Sequence, residues 1–325
     1  MENKIYDLII VGAGPAGLGA SIYASRYKLD HLVIGSEIGG QVVEAWEIEN
    51  YAGFEKISGK DLMGKFVKQS EKLGGKIIKD SVNNIVKTET GFKVVGEKTG
   101  EYTAQSIILA LGMKPRKMNV PGEDRFLGKG VSYCATCDAM FFRGKDVVVI
   151  GGGDSAATAA IHLTEFANKV TLIYKDEKVS FEPAWIEQMK ANPKIEMICC
   201  SNITEIKGDT KVSGIVYEMN GPASTRGEDR SSTRGGEKKE LAVQGVFIEV
   251  GTFPGAVLAK NLGVKTDDQD YIIVDGTQAT SIENVYSAGD IDTSSNKFRQ
   301  IITAVAEGAV AAGSIYKKLK LKPKG

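Results

Sequence analysis

YDLIIVGAGPAGLGASIYASRY (residues 6–27) and its echo KDVVVIGGGDSAATAAIHLTEF (residues 145–166) decide the fold. Each opens on a short run rich in β-branched residues, turns through a glycine cluster and continues as an alanine-rich stretch with helical periodicity. A second apolar run follows each, HLVIGSE at 31–37 and KVTLIYKDE at 169–177. Strand, glycine turn, helix and strand make a βαβ unit. Two such units predict an α/β protein with two three-layer, Rossmann-like domains.

The bulk numbers agree with two soluble domains. A chain of 325 residues exceeds one ordinary domain, and each half is long enough to bury its own core. Hydrophobic residues make up 42% and charged residues 25%. Lysine plus arginine balances aspartate plus glutamate at 41 each, which gives no electrostatic reason to bind nucleic acid or an anionic membrane. The basic KKLKLKPKG at 317–325 reads as a solvated tail. The first residues lack the layout of a signal peptide, and no run approaches the ~18 apolar residues of a membrane span. A cytoplasmic protein is expected, where disulfides are uncommon and those present tend to be catalytic.

Between and after the two units the pattern is mixed. Residues 59–78 read as helix then strand, 84–112 as a β-meander with a returning strand, and 114–126, with Pro115 and Pro121, as a linker. The polar stretch at 220–240 repeats S-T-R-G and has no apolar periodicity; it reads as a mobile hairpin tip, either a tolerated insertion or a docking loop. DYIIVDG and NVYSAGD near the end read as two strands, the second closing on a Gly-Asp turn before a long helix from about residue 298.

Gly12, Gly14 and Gly17 sit where a dinucleotide motif requires them, after a strand and at the opening of a helix, with Pro15 and Ala16 between. The first allows a tight turn, the second lets backbone approach a pyrophosphate, and the third allows close helix–strand packing. Glu37 ends the next strand, in place to accept from a ribose hydroxyl. Gly289-Asp290, followed by a helix whose amides would face a ring that becomes anionic on reduction, points to FAD.

Cys134 and Cys137 form a C-x-x-C pair with Asp138 behind it. A structural zinc site wants four ligands, commonly two spaced pairs, and only vicinal Cys199-Cys200, His31 and His162 remain. No metal is expected. Cys199 and Cys200 read as buried apolar residues at a strand end. A redox dithiol fits the C-x-x-C, with one thiol of depressed pKa, an adjacent acid to move protons, and a helix starting within DAMFF to favour a thiolate.

In order along the chain, GAGPAG (12–17), GGQ (39–41), EIENYAG (47–53), CATCD (134–138), GGGDSA (151–156), AGD (288–290) and RQ (299–300) resemble the low-molecular-weight thioredoxin reductases, two-dinucleotide-domain flavoproteins. The resemblance implies an FAD domain over 1–115 and 248–325, with a nicotinamide-nucleotide domain over 116–247 inserted into it. It adds Gly39, Gly40, Gln41, Asn50, Gly112, Arg299, Gln300 and Ile301 to the FAD site. It implies that Cys137 faces the flavin, Cys134 attacks the partner disulfide and Asp138 protonates the departing thiolate. A thioredoxin or glutaredoxin-like dithiol protein as substrate, a homodimer, and rotation of the second domain about hinges near 113–120 and 244–252 are further implications. Ala139 replaces the family's usual glycine.

Gly151, Gly152, Gly153, Asp154, Ser155 and Ala156 form the second dinucleotide turn, so NADH or NADPH should bind there. Where the family's NADPH users carry His-Arg-Arg and a further arginine, this chain has Tyr174, Lys175, Asp176 and Ser180. Loss of the arginine forks that match a 2′-phosphate favours NADH or loose discrimination. NADPH held by Lys175 alone, and a ferredoxin or deazaflavin donor, are the alternatives; the intact GGGDSA argues against the latter. A ferredoxin or flavodoxin–NAD(P) reductase is a rival of similar fold, but it has no place for CATCD.

Overall fold

The computed structural model describes residues 4–219 and 237–321. The chain divides into two compact units, Met1–Lys114 with Phe253–Gly325, and Pro115–Thr252. Residues 220–236 of the expected hairpin tip lie outside the described residues.

In the first unit, β1 (Ile5–Val11) lies between β2 (His31–Gly35) and β6 (Glu101–Leu109), all parallel, with β3 (Lys76–Lys79) outside β2. The far side of β6 is shared. Its first residues pair with the antiparallel hairpin β4 (Val82–Thr88) and β5 (Gly91–Gly96), and its last pair in parallel with β17 (Val285–Ser287). A parallel sheet must be covered on both faces, which explains the apolar, fully buried run Leu8–Val11 of β1. Leu8 and Ile10 pack with Ala16 and Ala20 of α1 (Pro15–Arg26) and Ala311 and Ile315 of α7 (Ile301–Lys320). Ile9 and Val11 face Phe92, Val94 and Ala259, the last on the short helix α6 (Val257–Asn261).

The seam between α1 and α7 is made of small residues. A Cβ added at Gly308 would stand 2.1 Å from the carbonyl oxygen of Ala16, and one at Gly19 would stand 2.9 Å from that of Val305. The helix α2 (Gly59–Lys72) is capped by Ser58, whose hydroxyl accepts from the Asp61 N–H at 3.1 Å.

The second unit repeats the device. Its parallel sheet runs β11 (Ile195–Ile198), β10 (Lys169–Ile173), β9 (Asp146–Ile150), β15 (Gly245–Ile248), β8 (Val131–Ser132). Val147 and Val149 pack on the alanines of α4 (Asp154–Leu163), while Val148 and Ile150 face Ile206, Ile215 and Tyr217. Those last three come from an antiparallel sheet of β12 (Ser201–Gly208), β13 (Val212–Met219) and β14 (Lys238–Leu241). Among the described residues the unit also contains the helices α3 (Ala135–Asp138) and α5 (Pro183–Ala191). At the division of the chain, β7 (Met113–Pro115) pairs with β16 (Thr252–Pro254) as a two-stranded ribbon.

Two local expectations are corrected. DYIIVDG is no strand: Ile272, fully buried, makes only single-residue bridges to Thr266 and Asp292, and left-handed backbone at Asp270 and Gln278 interrupts any longer ladder. The helix expected within DAMFF begins earlier, at Ala135, because Cys134 takes the cap position.

One buried polar chain ties the first unit together. Ser21 of α1 lies between His31 of β2, with Oγ 2.8 Å from Nε2, and Ser70 of α2, 2.7 Å away; His31 Nδ1 lies 3.0 Å from the Leu29 carbonyl oxygen. A neutral imidazole completes this chain by donating to the carbonyl and accepting from the hydroxyl. Burial lowers the pKa of His31 below the ordinary 6.5. The unfolded chain therefore binds more protons once the pH drops below 6.5, and stability falls with pH from there. His162, likewise lowered by burial, acts with the same sign in the second unit. Denaturant unfolding at pH 7.5 and 5.5 is expected to show a smaller loss for His31→Gln than for the unaltered protein; an equal loss would remove His31 as its source.

Candidate active site

The first glycine turn is dictated by backbone crowding. Gly12 has φ +116°, and a Cβ there would lie 2.0 Å from the carbonyl oxygen of Ala110; one at Gly17 would lie 1.9 Å from that of Gly12. Gly14 is different. A Cβ there would meet nothing nearer than the Gly40 Cα at 3.7 Å, so no protein atom demands glycine at this position. The space above it is what a pyrophosphate approaching the start of α1 would need.

Other motif residues converge on this turn. The Gly39 N–H donates to the Ala13 carbonyl at 2.8 Å, and the Gly40 N–H to that of Glu37 at 3.2 Å; Gln41 lies in the 3₁₀ turn that follows. Asn50 Nδ2 donates to Gln300 Oε1 at 3.2 Å, joining EIENYAG to the start of α7. There Gln300 is the cap and Ile301 packs with Leu18 and Met63. Gly289 brings its turn against Ala16, where a Cβ would meet the Ala16 Cβ at 2.9 Å. Gly112, at φ +59°, has open space on its Cβ side. Arg299 is exposed and lies over the Tyr271 ring at 4.6 Å.

Asp290 carries the electrostatic signature of the site. Burial pushes its pKa up to about 6, with Arg299 opposing and Glu307 adding to the rise. Asp292 is also pushed up to about 6 by burial, although its Oδ1 accepts from the Ser294 N–H at 2.9 Å. Among the described residues no hydrogen bond reaches the Asp290 carboxylate, which leaves it available to a ligand hydroxyl. An open backbone cradle and a half-buried acceptor fit a bound dinucleotide flavin.

In the second unit Cys134 and Cys137 are joined in a disulfide, with Cα atoms 5.3 Å apart across the single turn of α3. The Cys137 N–H donates to Cys134 Sγ at 3.2 Å, and the Asp138 N–H to the Cys134 carbonyl at 3.2 Å. Cys137 is exposed, while Cys134 and Asp138 are half-buried. Ser132 braces the loop, accepting from the Cys134 N–H at 3.0 Å. Ala139 is buried behind it.

The second glycine turn follows the same rule as the first. A Cβ at Gly151 would fall 2.2 Å from the Glu249 carbonyl oxygen, whereas Gly152 and Gly153 have no neighbour within 3.4 Å. Ala156, at the third motif position, is fully buried. Two of the site residues are engaged by the protein itself. Asp154 Oδ1 accepts from the Glu182 N–H at 2.7 Å, and Ser180 folds onto the loop, its hydroxyl donating to the Gly152 carbonyl at 3.1 Å. Ser155, Lys175 and Asp176 are exposed, and Tyr174 packs edge-on against Phe181 with ring centroids 5.9 Å apart.

Three residues went unread in the sequence. Glu307, buried in α7, accepts from the Gly289 N–H at 2.8 Å and from the Ser295 hydroxyl, so it holds the Gly-Asp turn. Glu123, also buried, accepts from the Met118 N–H at 3.0 Å, the Val120 N–H at 3.3 Å and the Tyr133 hydroxyl. Burial and that carboxylate raise the Tyr133 pKa, and together the pair fastens the residue before Cys134 to the linker. A lone acid inside the Ala/Gly-rich AVAEGAV, and another after Pro121-Gly122, were the available signals. Cys199 and Cys200 correct an expectation: they are half-buried and joined to each other.

Comparison with known proteins agrees with this geometry. Residues 6–308 match the family described as pyridine nucleotide-disulphide oxidoreductase. The chain is 38% identical over 315 residues to the thioredoxin reductase of Bacillus subtilis, covering 97% of this chain and 95% of that one. It is 40% identical over 309 residues to the thioredoxin reductase of Treponema pallidum, covering 94% and 95%. Among solved structures, T. acidophilum thioredoxin reductase superposes with a TM-score of 0.88 at 38% identity, covering 97% of this chain and 99% of that one. Lactococcus lactis thioredoxin reductase does so with a TM-score of 0.87 at 37%, covering 96% and 98%.

The contrast between Gly12 and Gly14 gives a test. Gly14→Val is expected to fold, with flavin content after purification lowered by at least about tenfold, since only a ligand competes for that space. Gly12→Val is expected to give no folded protein. Full flavin retention by folded Gly14→Val would move the dinucleotide elsewhere.

Proposed function

The chain belongs to the pyridine nucleotide-disulphide oxidoreductase family, and on that premise we propose its reaction. It is a thioredoxin reductase, passing two electrons from NAD(P)H to the Cys134–Cys137 disulfide and on to the disulfide of a thioredoxin-like protein. The observation that carries this reading is the disulfide closed across one helical turn, in the unit that also bears the second glycine turn.

Gly12–Gly17, Glu37, Gly39–Gln41, Asn50, Gly112, Asp290 and the 299–301 turn would hold FAD, which when bound would supply the two-electron relay between nucleotide and disulfide. The remaining steps belong to the chain. Reduced Cys134, as thiolate, attacks one sulfur of the partner disulfide; that S–S bond breaks and the departing thiolate takes a proton. Asp138 donates it, its position set by the backbone bond to Cys134 one turn earlier. Cys137 then attacks Cys134 Sγ, releasing the partner's second thiolate and restoring the disulfide. Met140 and Phe141, 63% and 65% exposed just beyond the pair, offer apolar surface on which a protein substrate docks.

Gly151–Ala156 hold the nicotinamide nucleotide. Lys175 is the exposed cation that follows β10, Asp176 beside it disfavours a phosphate, and Ser180 is committed to the Gly152 carbonyl. This arrangement favours NADH or weak discrimination over strict use of NADPH. Among the described residues no helix is long and apolar enough to cross a membrane. A cytoplasmic homodimer completes the reading.

Anaerobic titration with NADH and NADPH separately is expected to bleach the flavin with either, at rates within about tenfold of each other. Bleaching by neither overturns the donor. Cys134→Ser/Cys137→Ser is expected to keep this bleaching and to lose thioredoxin-dependent turnover by at least about a thousandfold. Turnover that survives the double substitution would replace this reaction with a reductase that bypasses the pair. Lys175→Ala is expected to raise KM for NADPH about fivefold and leave that for NADH little changed.

A further inference from the structure

Cys199 and Cys200 form the two-residue connection between β11 and β12, and they are bonded to each other. Adjacent cysteines close a ring of eight atoms that includes their own peptide bond. Cys200 lies at φ +58°, in the left-handed region that side-chain-bearing residues avoid. The connection sits at the carboxyl end of the parallel strands, the edge where open α/β sheets bind nucleotides. Backbone hydrogen bonds on both sides tie it to one residue of that edge. The Tyr174 N–H donates to the Ile198 carbonyl at 3.1 Å, and the Ser201 N–H to the Tyr174 carbonyl at 3.1 Å. The Ser201 hydroxyl donates to the Cys199 carbonyl at 3.1 Å, closing the turn on itself. Tyr174 in turn borders the glycine loop, its Cβ 3.7 Å from where a Gly152 Cβ would stand, and Lys175 and Asp176 follow it directly.

We propose that Cys199–Cys200 is a second reducible pair, a thiol–disulfide switch on the nucleotide site of the second unit, responsive to dithiols. The proposal rests on the reading of that unit as the NAD(P)H site. In the switching step a dithiol's thiolate attacks one sulfur of the pair and the S–S bond breaks. The second thiol then resolves the mixed disulfide. The dithiol leaves as a disulfide, and Cys199 and Cys200 become two thiols, having gained two electrons and two protons. Both cysteines are half-buried, so solvent reaches them. Opening the ring frees Cys200 to leave its left-handed conformation. The turn that clamps Tyr174 then loosens, and the nucleotide is held less tightly. A reduced dithiol protein is the product of the proposed reaction, so the switch weakens donor binding as product accumulates.

The test uses flavin-loaded Cys134→Ser/Cys137→Ser protein, oxidised in air or treated with dithiothreitol. Free thiols are counted by maleimide mass tagging after denaturation, and NAD⁺ and NADP⁺ binding is measured by calorimetry. The expected result is no tag before reduction and two after it, with Kd rising at least about threefold on reduction. Adding Cys199→Ser/Cys200→Ser should make Kd indifferent to dithiothreitol; the single Cys199→Ser variant serves should the pair of substitutions fold poorly. Two tags in the air-oxidised protein, or one Kd for both states, overturns the switch. Where thioredoxin turnover of the unaltered enzyme is intact and Kd does not change, only the switch falls. Where no nucleotide binds in either state, the assignment of the second unit falls with it.

Discussion

Backbone meeting backbone at distances that exclude a Cβ is the constraint on which this structure depends. Around the start of α1, Gly12 lies against Ala110, Gly17 against Gly12 and Gly308 against Ala16, backbone on backbone, and Gly289 lies against the Ala16 methyl. These approaches do two jobs at once. They let α7 lie on α1 over the sheet, and they bring the Gly-Asp turn and the start of α7 to the place where α1 presents its free amides. Helix packing in the first unit and the open space above Gly14 thus share one small-residue seam. Glu307 reinforces it with a carboxylate on the Gly289 amide, a charged group tolerated in an apolar helix face because its bonds are made.

The second unit uses the same βαβ device with other fittings. Gly151 meets Glu249 as Gly12 meets Ala110, and Ala156 takes the place of Gly17. Its loop is braced by side chains that the first lacks: Asp154 on the Glu182 amide and Ser180 on the Gly152 carbonyl. The redox loop is braced separately, by Ser132 beneath Cys134 and by Tyr133 on buried Glu123. A sulfur pair that must break and re-form gains from such a scaffold, because its backbone stays in place while the S–S bond does not.

Much of this was legible in the sequence where one residue type has one physical use. The glycine turns, the apolar strands and the Cys134–Cys137 pair are of that kind, because φ above zero, two-faced burial and a four-residue disulfide loop each leave few alternatives. What stayed hidden depends on distant partners. DYIIVDG has the apolar content of a strand, yet Ile272 finds only single bridges to Thr266 and Asp292. The cap at Cys134 depends on the Cys137 amide turning back to the sulfur, which no propensity records. Glu123 and Glu307 look like ordinary surface acids until Met118, Tyr133, Gly289 and Ser295 are folded onto them. Cys199 and Cys200 have the composition of buried apolar residues, and only the turn between β11 and β12 brings them into a bond.

The ribbon of β7 and β16 has a topological consequence. Because the chain leaves and re-enters the first unit on paired strands, with the Arg116 amide bonded to the Gly251 carbonyl at 2.9 Å, the second unit begins and ends at neighbouring points. It is therefore a cassette with adjacent ends. A homologous segment of different nucleotide preference could be spliced in at Pro115 and Thr252 without re-threading the host sheet, and a lineage could change its electron donor by the same exchange.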